Sequence, residues 1–276
     1  MATVCLSFDF DAISVWAGTL GLTSPQYVSR GEYGANIASP RILDVLDREE
    51  IPTTWFIPGL DVDTYPDVCK RIRDSGHEIG HHGYGHEGPT SQTEEQERHT
   101  IERGLESLDK VLGVKPSGYR SPAFDLSANS TRLLQEYGFT YDSSLMANDF
   151  ELYRCRTGDI IHTDKAIEFG PTIDLVEAPV SWTLDDFPFT EFVLSPQFYA
   201  PASTDVEAMA ARWISELDFM MEEAPDGVFI QTFHPQAIGR GSRLRILERV
   251  IRNAKDHGVT FSTIDAAVNS WKAKQP

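Results

Sequence analysis

The chain has 276 residues, a length typical of one α/β barrel domain and long enough to bury a core without disulfide bonds. Its 42 acidic residues outnumber its 24 basic ones, and the formal net charge of −18 argues against nucleic acid and anionic membranes as partners. The three cysteines lie far apart and form no CxxC pair, which excludes a disulfide framework and a zinc knuckle.

Short β-like runs alternate with helical patterns along the chain, which favours parallel strands with helices packed outside them. The predicted strands cover residues 3–8, 53–57, 77–80, 118–120, 175–178, 228–233 and 259–262. The predicted helices cover residues 39–49, 63 or 64 to 73, 91–112, 127–137, 203 or 204 to 221, 244–256 and a last segment ending near 271. Residues 146–172 follow neither pattern, and we interpret them as a lid or a long insertion. The strand count favours a barrel over an open sheet, and no linker or repeat divides residues 1–276 into domains.

Two helix starts are predicted from capping residues. Ser39 followed by Pro40 is typical of an N-cap with proline at the first helical position. Ser91 with Glu94 three residues later is typical of a capping box.

Polar side chains suited to catalysis or metal binding follow five of the predicted strands. They are Asp9 and Asp11, His82 and His86, Arg120, Asp185 and Asp186, and His234. In a parallel barrel the carboxyl ends of the strands meet at one rim, where such enzymes build their active sites. Each cluster alone has an ordinary structural explanation, such as a helix cap or a buried ion pair. Five clusters at one rim are a stronger indication of a site.

The histidines of the second cluster have the spacing of a metal site. His82 and His86 lie four residues apart, so a helical turn would place both imidazoles on one face. His77 and His81 crowd the same segment, which leaves the choice of ligands open. We favour His82, whose neighbour four residues on is a histidine, whereas that of His81 is a glycine. With Asp11 the pair predicts a two-histidine, one-carboxylate metal site with open coordination positions.

The first strand ends in two carboxylates, Asp9 and Asp11, separated by Phe10. Two carboxylates at the end of a buried strand cannot both stay unpaired without a cost in free energy. We expect their side chains to alternate across the strand and therefore to serve different roles.

Four motifs together are similar to those of the polysaccharide deacetylase (NodB-homology) family. They are Ser-Phe-Asp-Phe-Asp ending at Asp11, His82-Gly-Tyr-Gly-His86, Arg120-Ser-Pro122, and Thr232-Phe-His234-Pro, in the family's order and spacing over residues 3–264. The resemblance implies a distorted α/β barrel of about seven parallel strands. It also implies one divalent metal ion of the zinc type, with cobalt, manganese and nickel as alternatives.

The resemblance also implies roles for individual residues. Asp11, His82 and His86 match the metal ligands, Asp9 the catalytic base, Arg120 the arginine that orients the base, and His234 the general acid. Trp182 with Asp185 loosely matches a motif that lines the site and tunes the histidine, and Asp186 competes with Asp185 for this match. In such a hydrolase the metal polarises the carbonyl, Asp9 accepts a proton from water, and His234 protonates the leaving nitrogen.

Departures from the family pattern bear on the substrate. Phe10 separates aspartates that are usually adjacent, and Phe124 lies where the arginine motif usually continues to a glycine. The segment after His234 carries Arg240 and Arg243 in an acidic chain. These features resemble the branch with cyclic imide hydrolases, allantoinase-like proteins and an intracellular-type peptidoglycan deacetylase.

We therefore expect hydrolysis of an amide-type C–N bond in a small cyclic imide or ureide, with Trp182, Arg240 and Phe124 contacting the substrate. The alternative is N-deacetylation of an N-acetylated amino sugar in a peptidoglycan- or chitin-type oligosaccharide. Two readings of other classes stay open: a catalytically degenerate metal- or carbohydrate-binding module, and a non-haem iron oxygenase, which also uses two histidines and a carboxylate.

The expected location is cytoplasmic. The amino terminus shows no secretory signal, and no apolar run approaches the roughly 20 residues that a membrane span needs. The sequence does not decide between a monomer and a homo-oligomer.

Overall fold

A computed structural model describes residues 1–195, 199–202 and 205–275. Its strands are β1 (Thr3–Asp9), β2 (Thr54–Ile57), β3 (Glu78–His81), β4 (Gly118–Tyr119), β5 (Tyr141–Asp142), β6 (Tyr153–Arg156), β7 (Thr172–Glu177), β8 (Val193–Leu194), β9 (Tyr199–Ala200), β10 (Val228–Phe233) and β11 (Thr260–Phe261). Seven strands run parallel in the order β10–β1–β2–β3–β4–β5–β7, and β6 adds to the β7 edge in the antiparallel direction. β11 pairs with the first residues of β1, and β8 pairs with β9 in a separate antiparallel ribbon.

The sheet curls into a distorted α/β barrel of mostly parallel strands, which confirms the predicted fold class. The distortion lies between β7 and β10, which share no ladder in the part of the chain described. There the segment after β7 returns to β10, and a parallel bridge joins Asp185 to Thr232. This seam brings the carboxyl end of β7 next to that of β10.

Helices cover the outside of the sheet. They are α1 (Pro25–Tyr33), α2 (Ser39–Glu49), α3 (Gly59–Thr64), α4 (Pro66–Asp74), α5 (Glu94–Ser107), α6 (Ser130–Glu136), α7 (Phe187–Thr190), α8 (Val206–Glu223), α9 (Pro235–Ile238), α10 (Arg243–Asp256) and α11 (Ile264–Lys272). Wider π-helical segments are Val15–Thr19, Gly34–Ala38 and Leu108–Leu112, and 3₁₀ turns are Pro89–Ser91, Pro122–Phe124 and Trp182–Leu184. Within the described residues, no helix combines the length and apolar character needed to cross a bilayer.

β1 shows how the two faces of the sheet are used. Val4, Leu6 and Phe8 project to one face and pack in a core with residues of α2, α4, α8 and α10. Cys5 projects to the opposite face and packs with Phe56 in the barrel interior. Both faces are buried, as expected for a central parallel strand covered by helices.

α11 closes the interior at the amino ends of the strands. The backbone N–H of Ile264 donates to the Thr54 hydroxyl at the start of β2 (2.9 Å), and that of Asp265 donates to Glu78 at the start of β3 (3.0 Å). With this end occupied by a helix, the carboxyl ends of the strands are the ones that can form a cavity.

Ser39 is not the N-cap that its sequence context predicts. The helix begins earlier, at Pro25, and continues through the π-helical segment Gly34–Ala38 into α2. The Ser39 hydroxyl donates to the Gly34 carbonyl inside this helix (2.9 Å). Because Pro40 has no N–H and its ring crowds the preceding turn, a widened turn lets the helix continue past it.

The capping box before α5 lies two residues later than predicted. The Thr93 hydroxyl accepts from the Gln96 N–H (3.3 Å), and the Gln96 side chain accepts from the Thr93 N–H (2.9 Å). Ser91 instead donates to the Gly88 carbonyl (2.8 Å) within a 3₁₀ turn. This turn delays the start of the helix, so Ser91 and Glu94 do not form the box.

The long helix α8 begins at Val206, and Asp205 is its N-cap. The Asp205 carboxylate accepts from the N–H groups of Glu207 and Ala208, which have no partner within the first helical turn. The predicted start at Ser203 or Thr204 lies outside the described residues.

Candidate metal centre and active site

The carboxyl ends of the strands enclose a cavity of about 500 Å³. Predicted site residues from four strand ends line it, namely Asp9, Asp11, His82, His86, Asp185 and His234. Within the described chain, no residue of 146–172 lines the cavity, which argues against the lid and favours the alternative of an insertion, and this segment supplies the edge strand β6. The rim predicted from the sequence is therefore the place where these polar side chains meet.

Asp9 and Asp11 both face this cavity, contrary to the expected alternation. Phe10 projects the other way, into the core beneath the outer helices. The physical reason is that side chains alternate with a period of two, so residues i and i+2 share a face and only residue i+1 is opposite. Any difference in role between the two carboxylates must then come from their different neighbours.

The segment that carries His82 and His86 is a loop rather than the expected helical turn. Gly83 and His86 have left-handed backbones, with φ of 73° and 62°. These reversals fold the loop so that the two imidazole rings lie 4.8 Å apart, nearly perpendicular to each other.

Asp11 and the two histidines form a compact triad. Oδ1 of Asp11 lies 3.4 Å from Nε2 of His82 and 3.5 Å from Nε2 of His86. Burial alone would raise the pKa of Asp11, but His86, His234 and His82 lower it to about 2. Neither carboxylate oxygen has a hydrogen-bond partner among the described residues. A charged, buried carboxylate without hydrogen bonds is costly, and a divalent cation between these three side chains would satisfy it.

The outer hydrogen bonds of the histidines fix their tautomers. Nδ1 of His82 lies 2.7 Å from the carbonyl oxygen of Arg120, which can only accept, so Nδ1 carries the proton. Nδ1 of His86 bonds to the hydroxyl of Thr19, whose single proton is directed to the His86 carbonyl. Nδ1 of His86 must therefore be the donor, and both histidines present the Nε2 lone pair to the centre of the triad.

His81, the alternative ligand, is a structural residue. Its Nε2 donates to the Ile101 carbonyl (3.0 Å), and its Nδ1 accepts from the Gly83 N–H (3.1 Å). Burial lowers the pKa of His81 to about 4, so it is neutral. With both nitrogens engaged, His81 has no lone pair for a metal.

Arg120 lies behind Asp9 and is fully buried. Its Nη1 donates to Asp9 Oδ1 and to the Ser7 hydroxyl, both at 2.8 Å. Its Nε and Nη2 donate to the carbonyl and the hydroxyl of Ser143, at 3.0 and 2.9 Å. This set of bonds fixes one oxygen of Asp9 and leaves the other free for the cavity.

His234 follows β10 and faces Asp11 across the cavity, with Nε2 3.4 Å from Asp11 Oδ2. Its Nδ1 lies 2.9 Å from Asp186 Oδ1, which also accepts the His234 backbone N–H at 2.9 Å. Asp185 Oδ1 lies farther from Nδ1, at 3.4 Å, and accepts from the Phe187 N–H. The carboxylate that holds His234 is thus Asp186, where the sequence motif favoured Asp185. Burial lowers the pKa of His234, but Asp185, Asp11 and Asp186 outweigh it and raise that pKa well above its usual range.

Of the three residues predicted to contact the substrate, the structure places two at the cavity and one away from it. Trp182 and Phe124 line the cavity, and their rings lie 4.7 Å apart at its rim. Arg240 is not part of the cavity wall in the described chain, and its guanidinium stacks on Tyr33 at 3.8 Å. Arg243 donates to Glu191 and to the backbone carbonyls of Ala237 and Thr190, so it anchors the start of α10. This position argues against the predicted contact between Arg240 and substrate.

Several cavity residues carried no signal in the sequence. They are Val15 and Thr19 from the π-helical segment, Leu20 directly after it, and Glu191, Tyr199, Ala200 and Pro201 after α7. These segments lack catalytic motifs, and their loops reach the cavity only through tertiary packing. The cavity has a largely apolar wall that also includes Phe187 and Pro188.

Comparison with known proteins adds to this geometry. The sequence profile of the polysaccharide deacetylase family matches residues 32–141. A peptidoglycan deacetylase of Helicobacter pylori is 34% identical, covering 99% of this chain and 97% of that protein. A peptidoglycan deacetylase-like protein of Gibberella zeae is 30% identical, covering 97% of this chain and 86% of that protein.

Comparison with solved structures gives the same similarity. A crystal structure of a candidate polysaccharide deacetylase from Mycobacterium smegmatis superposes with a TM-score of 0.82 at 32% identity, over 99% of this chain and 91% of that one. An allantoinase superposes with a TM-score of 0.80 over 100% and 91% of the chains, but at 21% identity this likeness shows the fold alone. The chain belongs to the polysaccharide deacetylase family of hydrolases.

Proposed function

We propose that the protein is a divalent-metal-dependent N-deacetylase of N-acetylated amino sugars in a peptidoglycan-type glycan. The observation that carries this proposal is one cavity holding the unpartnered Asp11 carboxylate between two histidines, with Asp9 and His234 beside it. The near full-length relatives, which are named for peptidoglycan deacetylation, support the deacetylase alternative better than the small-imide function first expected.

Asp11, His82 and His86 would hold the metal ion through one carboxylate oxygen and two Nε2 atoms. Such an ion polarises the acetyl carbonyl and makes a bound water more acidic. The remaining work falls to the side chains around this centre.

Asp9 suits the role of the general base. Arg120 occupies its Oδ1, while Oδ2 lies 3.9 Å from Nε2 of His82, on the side of the metal site. A water attacking the acetyl carbon there loses a proton to Oδ2, because this is the carboxylate oxygen that Arg120 leaves free. Arg120 also keeps the carboxylate oriented, which favours proton transfer from one position.

His234 suits the role of the general acid. Asp186 fixes the ring through Nδ1, so Nε2 faces the metal triad, 3.4 Å from Asp11 Oδ2. When the C–N bond breaks, the sugar nitrogen needs a proton, and Nε2–H can supply it. The products are acetate and a free amine, which balances the water consumed.

The rim provides a surface for a sugar ring. Trp182 is 43% exposed at the cavity mouth and packs against Phe124. An aromatic face of this kind suits the C–H face of a pyranose, whereas the acetyl group would lie deeper, against Leu20 and Phe187.

Acetate release tests the proposal. The metal-loaded protein would be incubated with N-acetylglucosamine oligomers and soluble peptidoglycan fragments, and in parallel with succinimide and allantoin. We expect acetate from the glycans, no acetate from His82→Ala, and normal rates from Arg240→Ala, which serves as the matched control. Imide or ureide hydrolysis without acetate release would replace the proposal with the small-molecule function. Glycan binding without any turnover would replace it with a binding module.

A further inference from the structure

The side chain of Thr19 contacts His86, one of the two histidines of the metal triad. Thr19 belongs neither to the triad nor to the family motifs. Thr19 ends the π-helical segment Val15–Thr19, and its hydroxyl bonds to both Nδ1 and the backbone carbonyl of His86. His82 differs, because its Nδ1 is held by a backbone carbonyl that no substitution removes. The orientation of His86 therefore depends on the Thr19 side chain, which belongs to another part of the chain.

The direction of these bonds is determined by counting protons. A threonine hydroxyl has one proton, and the His86 carbonyl at 2.6 Å can only accept it. The hydroxyl oxygen must then accept from Nδ1–H, which leaves Nε2 of His86 unprotonated and directed at Asp11. Without the hydroxyl, either ring nitrogen can carry the proton, and the tautomer with Nε2–H cannot bind a metal.

The same hydroxyl stabilises an unfavourable backbone. His86 has a φ of 62°, in the left-handed region that favours glycine and is unfavourable for a residue with a side chain. The hydrogen bond from the Thr19 hydroxyl to the His86 carbonyl directly stabilises the backbone at this residue. Loop shape and ring tautomer are therefore held by one group.

The segment that carries Thr19 is in close contact with the histidine loop. A Cβ on Gly18 would lie 1.7 Å from the Gly85 carbonyl oxygen, so only glycine permits this approach. Trp16, one turn earlier, is fully buried and has the Arg30 guanidinium 4.1 Å above its ring. A fixed tryptophan and a backbone contact set the position of Thr19 before any metal binds.

We propose that Thr19 is a positioning residue of the metal site, which sets the tautomer and orientation of His86 and thereby the affinity for the metal. The inference rests on the proposed function in taking His86 as a ligand. It adds that the π-helical segment Val15–Thr19 is part of the metal-binding apparatus.

Zinc affinity tests this directly, measured by competition with a chromophoric chelator. Thr19→Val has nearly the same shape but cannot accept the hydrogen bond from Nδ1 of His86. We expect its zinc affinity to fall about 10- to 100-fold, the usual effect of losing an outer hydrogen bond to a metal histidine. Thr19→Ser keeps the hydroxyl and should restore an affinity near that of the wild type. Thr64→Val is the matched control, because its exposed hydroxyl donates only to the Leu60 carbonyl in α3.

A second measurement does not depend on any variant. In the metal-free wild-type protein, ¹⁵N spectra of the histidine rings should show the proton of His86 on Nδ1. A proton on Nε2, or wild-type zinc affinity in Thr19→Val, overturns the proposal. If the wild-type protein itself binds no zinc, the proposed function fails instead, so the two failures are distinguishable.

Discussion

At the scale of single residues, two carboxylates on the same face of one strand end are separated by their neighbours. Asp9 is held by Arg120 at 2.8 Å, whereas both oxygens of Asp11 lack hydrogen bonds in the described chain and face three histidines. The guanidinium fixes the orientation of Asp9, and a bound cation would stabilise Asp11. Their roles therefore differ although they project to the same side.

Asp9→Asn tests this division. The amide can still accept from Arg120, so we expect the fold and the metal content to be kept. Without a base, deacetylation should slow by about 100-fold or more. Metal analysis and acetate release would be measured on the same sample, with Asp11→Asn as the comparison that loses the metal. Loss of metal from Asp9→Asn would show that the two roles must be exchanged.

Asp186 and Asp185 give a second test at this scale. Asp186 Oδ1 accepts two hydrogen bonds from His234, while Asp185 accepts from the Phe187 N–H. Asp186→Ala should therefore lower kcat more than Asp185→Ala does, with zinc retained in both variants. A larger loss in Asp185→Ala would restore the assignment that the sequence motif favoured.

At the scale of elements, strand ends were predictable and loop shapes were not. The polar clusters at Asp9, His82, Arg120 and His234 met at one rim because the carboxyl ends of parallel strands must lie together. Each was visible as a polar residue at or just after the end of a predicted strand. This local signal is strong because a buried strand tolerates few polar side chains.

The loops between these strands depend on contacts that sequence patterns do not encode. The histidine loop was expected to be helical from its spacing, yet its reversed residues and its contact with Gly18 decide its shape. Arg240 was expected at the cavity because of its charge, and it stacks on Tyr33 instead. Spacing can predict which residues belong to a site, while tertiary packing decides how they are held.

The ends of β5 and β7 hold a buried pair of acids, Asp142 and Glu177. Glu177 Oε1 accepts from the N–H groups of Ser144 and Leu145, both at 2.9 Å. Burial raises the pKa of Asp142 to about 6, and burial together with Asp142 raises the pKa of Glu177 well above its usual range. The folded protein therefore binds more protons here than the unfolded chain does above pH 4, so stability is lost as pH rises through the folded pKa values.

Glu177→Gln should weaken this pH dependence. The amide oxygen can accept hydrogen bonds from the same two N–H groups, and the amide NH₂ can donate to Asp142. The variant therefore does not need to bind a proton at position 177. Between pH 5 and 8 we expect the Tm of the wild type to fall more than that of the variant, with each kcal/mol worth roughly 2–4 °C in a chain of this size. Thermal melts across pH would measure this, with exposed Glu222→Gln as control. Parallel curves of Tm against pH for wild type and Glu177→Gln would contradict the explanation that this acid pair binds extra protons in the folded protein.

At the scale of the whole molecule, the two ends of the barrel serve different purposes. At the amino ends, both oxygens of the partly buried Glu78 accept hydrogen bonds from the protein, Oε1 from the Tyr141 hydroxyl at 2.6 Å and Oε2 from the Asp265 N–H at 3.0 Å. At the carboxyl ends, Asp11 has no such donors in the described chain. Polar groups that are satisfied internally stabilise the fold without a ligand. If the proposed metal centre is right, the stability of the carboxyl end should instead depend on a bound ion.

Metal removal should therefore destabilise the protein and not only inactivate it. A ligand that binds only the folded state adds about 2.7 kcal/mol at 100 times its Kd. For a chain of this length we expect zinc to raise the Tm of the chelator-treated protein by roughly 5–11 °C. Scanning calorimetry with and without zinc would measure the shift. His82→Ala should show almost no shift, because one of the three ligands is gone, while Arg240→Ala should show the full one. An equal zinc shift in His82→Ala and wild type would mean that the ion binds elsewhere, and the proposed centre at Asp11, His82 and His86 would have to be abandoned.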